Sequence, residues 1–570
     1  MSKGSDDMGT QSPESKTVQA SHHSGGSNPL ATRPVKTLIT GGKVIDGSGN
    51  PWFYSDILIE GDAISRVAPG IRDKIGQEPG HGYQVIDATG KIVCPGFIDI
   101  HGHSDAEVFI DGTARSSVMQ GITTEIVGNC GNSAFPLVGQ FPETFQKFIF
   151  ELYEWTEKLP WSTLDDYLQV VGSQGLSINI GALVGHASIR TAVSGYANRD
   201  LSSGEFQECG HLLREALEQG AFGMSLGLYY APGSYAKIGE VIEFGKVVAD
   251  YHGLVTCHLR DESDYNIGLL AALQEMLCVA RDSGARVEIS HMKCVGPATW
   301  GLAGVLVKTV EDARNRGFDV ATDQYPYLAA CSSIIGSLIP RWAQSGSKQD
   351  FSDRLKDPHI RQRIKTEAVR NLARRGGPER LVIGRYPPKP EYSGKSLAEI
   401  SEITGFDPAE TTLRLVELFN PQLVTFSMKE EDLLTIMKAP FVMIASDGRA
   451  LRPEGVLSSG PPHPRSFGTF PRVISKYALD SQVITLEDAV RKMTSMPAER
   501  LNIKDRGYVK PGFKADIVVF DPITIKDNAT FDSPRLYPSG IEYVFVNGQV
   551  VVAEGEHTEA KPGMVLRHRV

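Results

Sequence analysis

No apolar run in this chain reaches the ~20 residues that a membrane-spanning helix requires, so no membrane partner is expected. An apolar stretch of the signal-peptide kind is missing behind the N-terminus, and no secretory leader is expected either. Positive charge is not in excess. With 58 Lys and Arg against 68 Asp and Glu the net charge is −10, which excludes the basic surface of a non-specific nucleic-acid binder. Cysteine is sparse: seven residues, an odd number in so long a chain, argue against a disulfide framework and for a reducing compartment, with the cytoplasm as the expected location. What is present is ordinary for a globular protein, 41% apolar and 22% charged residues over 570 positions.

Residues 1–34 are almost empty of large apolar side chains. Such a segment cannot bury enough surface to offset chain entropy, and a disordered tail is expected, its His22 and His23 solvated. From Thr37 short alternating strands punctuated by Gly and Asp begin (TLITGGKVIDGSG, DILIEGDAISRVAP, YQVIDATGKIVCPG), and the same texture returns near the other end as GYVKPGFKADIVVFDP and IEYVFVNGQVVV. Neither group would be stable alone, so residues 35–95 and 497–556 are expected to form one small β-sandwich domain.

Between them, over 96–496, eight apolar runs of strand length recur: FIDIHGH, TTEIVGNCG, INIGALVGHAS, FGMSLGLYY, LVTCHLR, VEISHMK, DVATDQYPY and FVMIASDG. Near-continuous apolar strands alternating with amphipathic helices are what a parallel sheet covered on both faces needs, and eight such units close naturally into a barrel. The predicted fold class is therefore α/β, a (β/α)8 TIM-type barrel plus the small β domain. About a hundred residues separate the seventh strand from the eighth. Residues 332–430 read as a lobe inserted at the barrel rim over the site, and Cys331, which opens it, is expected to be buried.

Groups able to hold a metal stand at the ends of these strands: His101 and His103 after the first, Cys130 after the second, His186, His258 and His291 after the third, fifth and sixth, and Asp447 after the eighth. The C-terminal ends of barrel strands open onto one face, so residues far apart in sequence converge there. In His101-x-His103 the strand period sends both imidazoles to one side. Alone the pair is a weak signal, equally suited to hydrogen-bonded histidines. With Cys130, His258 and His291 at equivalent positions it reads as a site for zinc, which accepts thiolate and imidazole together. Cys130 has rival readings as a buried thiol or a nucleophile, and the surrounding imidazoles favour the ligand. Asp447, as an isolated S-D-G, would be a turn aspartate; beside a metal-activated water it becomes the general base. His186 is a candidate hydrogen-bond donor to the developing oxyanion, with packing an equal account.

The stretches EIVGNCGNSAFP, GLYYAPGSYA, HLRDE, EISHMK and HPRSFGTFPR, with PGFIDIHGHSD near the start and TSMPAERLNIKDRGYVKPGFKADIVVFDP near the end, resemble the N-acyl-D-amino-acid deacylases (D-aminoacylases) of the amidohydrolase superfamily. The resemblance covers Thr37 to about Val552. It implies a tight zinc site at Cys130, His258 and His291, a weaker second site at His101 and His103 that shares Cys130, Asp447 as catalytic base, and Lys293 and Tyr230 on the substrate carboxylate, with Arg465 a further clamp. The implied reaction is hydrolysis of the amide of a small N-acyl-D-amino acid to a carboxylate and a free D-amino acid. Many relatives carry a bridging lysine after the fourth strand; here FGMSLGLYY has none, which counts against the runner-up, a cyclic-amide hydrolase of the hydantoinase or dihydroorotase kind. A non-catalytic barrel scaffold and a cysteine-nucleophile amidase complete the alternatives. Acyl and side-chain specificity and oligomeric state are not legible.

Overall fold

The computed structural model describes residues 36–75, 83–460 and 463–569; the expected tail over 1–34, with His22 and His23, lies outside them. The fold is mixed α/β. Strands from the two ends of the chain meet in a nine-stranded sheet, in which Ile517–Phe520 runs antiparallel to Ile92–Pro95 and joins the C-terminal strands to those around Lys36–Val44. Phe545, Ile517, Ile39 and Ile57 pack one of its apolar clusters. Strands from the two ends of the chain thus share a single sheet.

The eight expected runs form parallel strands: β1 Phe97–Asp99, β2 Ile122–Val127, β3 Asn179–Ala182, β4 Gly223–Gly227, β5 Leu254–His258, β6 Arg286–Ile289, β7 Val320–Gln324 and β8 Val442–Ile444. Every residue of β2, β4, β5 and β7 is buried, as strands covered on both faces must be. Pairing runs β1–β2–β3 in one sheet. In a second it runs from Val184–Gly185 through β4, β5, β6 and β7 to β8. The third strand serves both neighbours in turn: Ala182 still accepts from Phe222 N at 2.8 Å, and the pair beyond Leu183 takes up β4. Past β8, Asp447 N donates to His101 O and His103 N to Gly448 O, both at 2.9 Å, so the eighth strand returns to the first. The fourth strand stops at Gly227, short of the nine residues its sequence suggests, and Tyr229 and Tyr230 stand in the turn beyond it.

Between β7 and Glu430–Met437 the chain builds an antiparallel sheet of Ala330–Ser333, Gln422–Thr425 and Leu381–Ile383, flanked by helices that include Lys348–Lys356, Pro358–Arg374 and Pro408–Leu418. Leu338, Ile364, Leu381, Leu397 and Leu413 form a cluster of its own, separate from the cluster under the eight strands. This segment covers one side of the cavity at the strand ends. Cys331, expected to be buried, is half-buried and lines that cavity, because the strand that carries it faces the opening.

Candidate metal centre and substrate cavity

Cys130 stands three residues beyond β2 in a loop fixed from two sides. Asn129 Nδ2 donates to Gly102 O (3.3 Å) and Ile126 O (3.0 Å), tying the loop to the end of β1, and Gly131 N donates to Ser225 Oγ of β4 at 3.0 Å. The loop presses so close to β4 that a Cβ on Gly227 would lie 2.1 Å from Cys130 O. A side chain therefore has no room at the end of β4. Backbone φ is positive at Cys130 (53°), His291 (36°) and Asp447 (49°), a region that few non-glycine residues occupy, Asp and His more often than Cys. Three of the candidate functional residues are thus held in sparsely populated conformations by their surroundings.

Three imidazole nitrogens surround the Cys130 sulfur: His101 Nε2 at 3.3 Å, His291 Nε2 at 3.4 Å and His258 Nδ1 at 3.6 Å. Two sets emerge, Cys130 with His258 and His291, and Cys130 with His101, His103 and Asp447; within each the donor atoms lie inside 4.8 Å of one another. A thiolate ~2.3 Å and an imidazole ~2.0 Å from one tetrahedral ion stand about 3.5 Å apart, so these spacings fit zinc. Cys130 belongs to both sets. Burial alone would raise its thiol, but the charges and hydrogen bonds of His101 and His291 outweigh that and hold it well below the ordinary thiol range.

Asp447 faces the cluster with Oδ1, 3.0 Å from His103 Nε2 and 3.7 Å from His101 Nε2. Its Oδ2 accepts from Arg465 Nη1 at 2.6 Å. Burial opposes ionisation here too, yet Arg465 above all, then His291 and His103, hold the carboxyl well below its usual range. Lys293 Nζ donates to Glu262 Oε1 (2.5 Å) and lies 2.7 Å from His291 Nδ1. Tyr230 OH accepts from Ser332 Oγ at 3.1 Å.

All of these except His101 line one cavity of about 330 Å³ at the strand ends. His186 does not. Its Nε2 sits 2.8 Å from Glu240 Oε1, in a buried pair shared with Arg190, and it is absent from the cavity wall. Because the third strand's backbone ends at Gly185, His186 already opens a helix, Glu240 of a neighbouring helix claims its ring, and the oxyanion role has no geometric basis.

Three residues escaped the sequence reading. Asp323 at the end of β7 accepts from His101 Nδ1 (3.3 Å) through one oxygen and from His291 N (2.7 Å) through the other. Glu262 lies 3.2 Å from His291 Nδ1 and 3.5 Å from His258 Nε2 while it holds Lys293. Both therefore touch the nitrogens that the candidate ligands turn away from Cys130. Tyr325 lines the cavity with a buried hydroxyl that has no partner among the described residues. The signal that marks Asp447, a carboxylate closing an apolar strand, was equally present for Asp323. Glu262 had no such signal, being in a turn.

The amidohydrolase family profile matches residues 84–373 and 457–552. The chain is 35% identical over 535 residues to the N-acyl-D-glutamate deacylase of Alcaligenes xylosoxydans xylosoxydans, covering 93% of this chain and 96% of that one. It belongs to the N-acyl-D-amino-acid deacylases of the amidohydrolase family. Among solved structures, this deacylase-family chain superposes on the N-acyl-D-glutamate deacylase of Bordetella bronchiseptica, complexed with zinc and a phosphonate that mimics the tetrahedral intermediate, with a TM-score of 0.77 and 32% identity over 94% of this chain and all of that one. It also resembles a D-aminoacylase described for its binuclear metal centre, with one-metal activation and second-metal attenuation (TM-score 0.78, 31% identity, 94% and 100% coverage).

Proposed function

We propose that this family member is a zinc-dependent hydrolase that cleaves the amide bond of small N-acyl-D-amino acids, releasing a carboxylate and a free D-amino acid. The observation that carries the reading is the placement of one thiolate between two sets of imidazoles, with an ionised aspartate turned toward them, in a single cavity. Cys130, His258 and His291 would hold one zinc tightly. His101 and His103, sharing Cys130, would hold a second more weakly, in keeping with the binuclear centre of the related D-aminoacylase. A bound zinc supplies Lewis acidity, lowering the pKa of a water to ~7 and polarising the acyl carbonyl.

The remaining work falls to the protein. Asp447 Oδ1 takes the water's proton and passes it to the leaving nitrogen, while Arg465 fixes Oδ2 and keeps the group ionised. Lys293, Tyr230 and the unused donors of Arg465 receive the substrate α-carboxylate at the same wall. Cyclic-amide hydrolysis is disfavoured because the space beside Gly227 is filled by the Cys130 loop, leaving none for a bridging lysine. The pairing of eight parallel strands, with β8 returning to β1, supports a (β/α)8 barrel over 96–496. The sheet built from both ends supports a small β domain of 35–95 and 497–556, and the separate apolar cluster supports an inserted lobe near 332–430. Seven unpaired cysteines suit a cytoplasmic location, and among the described residues no helix is long and apolar enough to cross a membrane.

The test is a panel of N-acetyl-D- and N-acetyl-L-amino acids, assayed together with elemental analysis of the same preparation. Turnover of D substrates that a chelator abolishes and zinc restores is the expected result. Full turnover by protein without stoichiometric transition metal would overturn it.

A further inference from the structure

Helix Phe141–Tyr153, which follows the Cys130 loop, carries two apolar rows. Ile149, Leu152 and Tyr153 turn into the core. Phe141, Phe145 and Phe148 stand at i, i+4 and i+7, on one face of the helix, and all three line the cavity. Their rings form a run, with centroids 5.6 Å apart between Phe141 and Phe145 and 6.2 Å apart between Phe145 and Phe148. An apolar stripe on a helix most often means core packing, and that accounts for Phe141 and Phe145 in part. It does not account for Phe148, which is left 37% exposed. Apolar surface in water is unfavourable until another apolar group covers it.

The helix is fixed with this face toward the cavity. Tyr153 OH donates to Glu107, which also accepts from Arg449 Nη1 at 2.7 Å. At the same end Glu151 pairs with Lys348 of the inserted segment at 3.9 Å, and Glu154 pairs with Arg385. The helix therefore bridges the strand ends and the segment between β7 and β8. Arg449 Cζ lies 5.4 Å from the Phe148 ring centroid, and its Nη1 donates to His103 O at 3.1 Å. Phe148 is thus one guanidinium away from the backbone of a candidate metal ligand.

An amide is planar and trans, so its acyl chain and its α-carbon leave the scissile group in opposite directions. The candidate receivers of the α-carboxylate stand after β4 (Tyr230), β6 (Lys293) and β8 (Arg465). The phenylalanine face follows β2, four places from β6 in the order of the eight strands, and so across the strand ends from Lys293 when β8 returns to β1. A substrate whose carboxylate meets Lys293 directs its acyl chain toward the phenylalanines. Its side chain branches from the α-carbon and stays with the carboxylate. We infer that this face is the acyl subsite, that it takes an apolar acyl chain longer than acetyl, and that Phe148 sets the preference. The inference rests on the deacylase reading and names the acyl half of its substrate.

Two pairs of substrates test it, assayed with the zinc-loaded full-length enzyme and its Phe148→Ser and Phe148→Leu variants. One pair is the N-acetyl and N-pentanoyl derivatives of the D-amino acid that the panel above accepts best. The other is N-acetyl-D-alanine and N-acetyl-D-norleucine. Each pair differs by three methylenes, the first on the acyl side of the amide and the second on the amino-acid side. A methylene taken out of water corresponds to about 4-fold, so the wild type should favour pentanoyl over acetyl in kcat/KM by up to about 60-fold. Phe148 packs outside the apolar core, so the fold tolerates its replacement. In Phe148→Ser the acyl ratio should shrink by at least about 4-fold, chiefly through KM, and in Phe148→Leu it should recover. The ratio of norleucine to alanine should stay at its wild-type value in both. A wild type that prefers acetyl, an acyl ratio unmoved in Phe148→Ser, or a norleucine ratio that falls in its place would overturn the inference and leave the deacylase reading intact. If the zinc-loaded wild type turned over no N-acyl-D-amino acid of the panel, the deacylase reading would fail and the inference with it.

Discussion

Asp447 joins the two halves of the cavity, one oxygen toward the imidazoles and the other on Arg465. Asp447→Asn keeps the shape and removes the proposed proton acceptor, so kcat should fall by about 10²–10⁴-fold with zinc content unchanged on elemental analysis. Glu262 offers a different kind of test. It lies 3.2 and 3.5 Å from the outer nitrogens of His291 and His258, where a carboxylate fixes ring orientation. In Glu262→Gln the zinc dissociation constant, measured by competition with a chromogenic chelator, should rise about 10- to 100-fold. An unchanged constant would show that the contact is incidental. At this scale the sequence was informative about residues that bear ligand atoms. His101, His103, Cys130, His258, His291 and Asp447 all announce themselves by closing an apolar strand, and all converge. Partners such as Glu262 were hidden because their role depends on which way an imidazole turns, and that is set by packing. The same gap misled the reading of His186, whose position after a strand was right for the cavity but whose ring is taken by Glu240.

Elements carry their own titration. The strand Glu556–His557, last in the nine-stranded sheet, is pinned through His557, whose Nε2 lies 3.1 Å from Ser177 Oγ and whose Nδ1 accepts from Glu559 N at 3.0 Å. The bond accepted by Nδ1 requires the neutral ring, whereas Nε2 donates to Ser177 Oγ, itself a donor to Ala560 O, in either state. Burial first, and then Arg115 nearby, lower its pKa from 6.5 to about 4. The unfolded chain therefore binds a proton that the folded one refuses between these values, and stability is lost as pH falls from 6.5 toward 4. Denaturant midpoints across that range should decline on acidification. The decline should be shallower in His557→Gln, and equal slopes for the two proteins would remove the group from the account. Strand positions were largely readable because apolar runs and turn residues define them locally. Where β4 ends was not: Gly227 terminates it because the Cys130 loop lies against it, a contact between segments almost a hundred residues apart.

Across the whole molecule, the candidate ligands stand at or just beyond the C-terminal ends of β1, β2, β5 and β6, so an ion between them would tie the β1–β2 pair to the β5–β6 pair. A ligand that binds only the folded state at a hundred times its dissociation constant adds about 2.7 kcal/mol. Chelation should lower the thermal midpoint accordingly, and scanning calorimetry with and without added zinc checks it. An identical midpoint in both would contradict a bound ion. The order of the eight parallel strands follows from their sequence pattern. The bonds from β8 back to β1, the division of the third strand at Leu183, and the three-stranded sheet between β7 and β8 did not, since each depends on pairings between distant segments.

The left-handed backbone at Cys130, His291 and Asp447 has a practical corollary. Glycine would relieve that torsional cost at all three positions, and at each it would delete the chemistry. Selection of variants for heat tolerance alone, in metal-free medium, should therefore accumulate replacements at these sites first, yielding hardier proteins that no longer turn over substrate. Persistence of all three residues through such a selection would mean that their neighbours, not the reaction, dictate their shape.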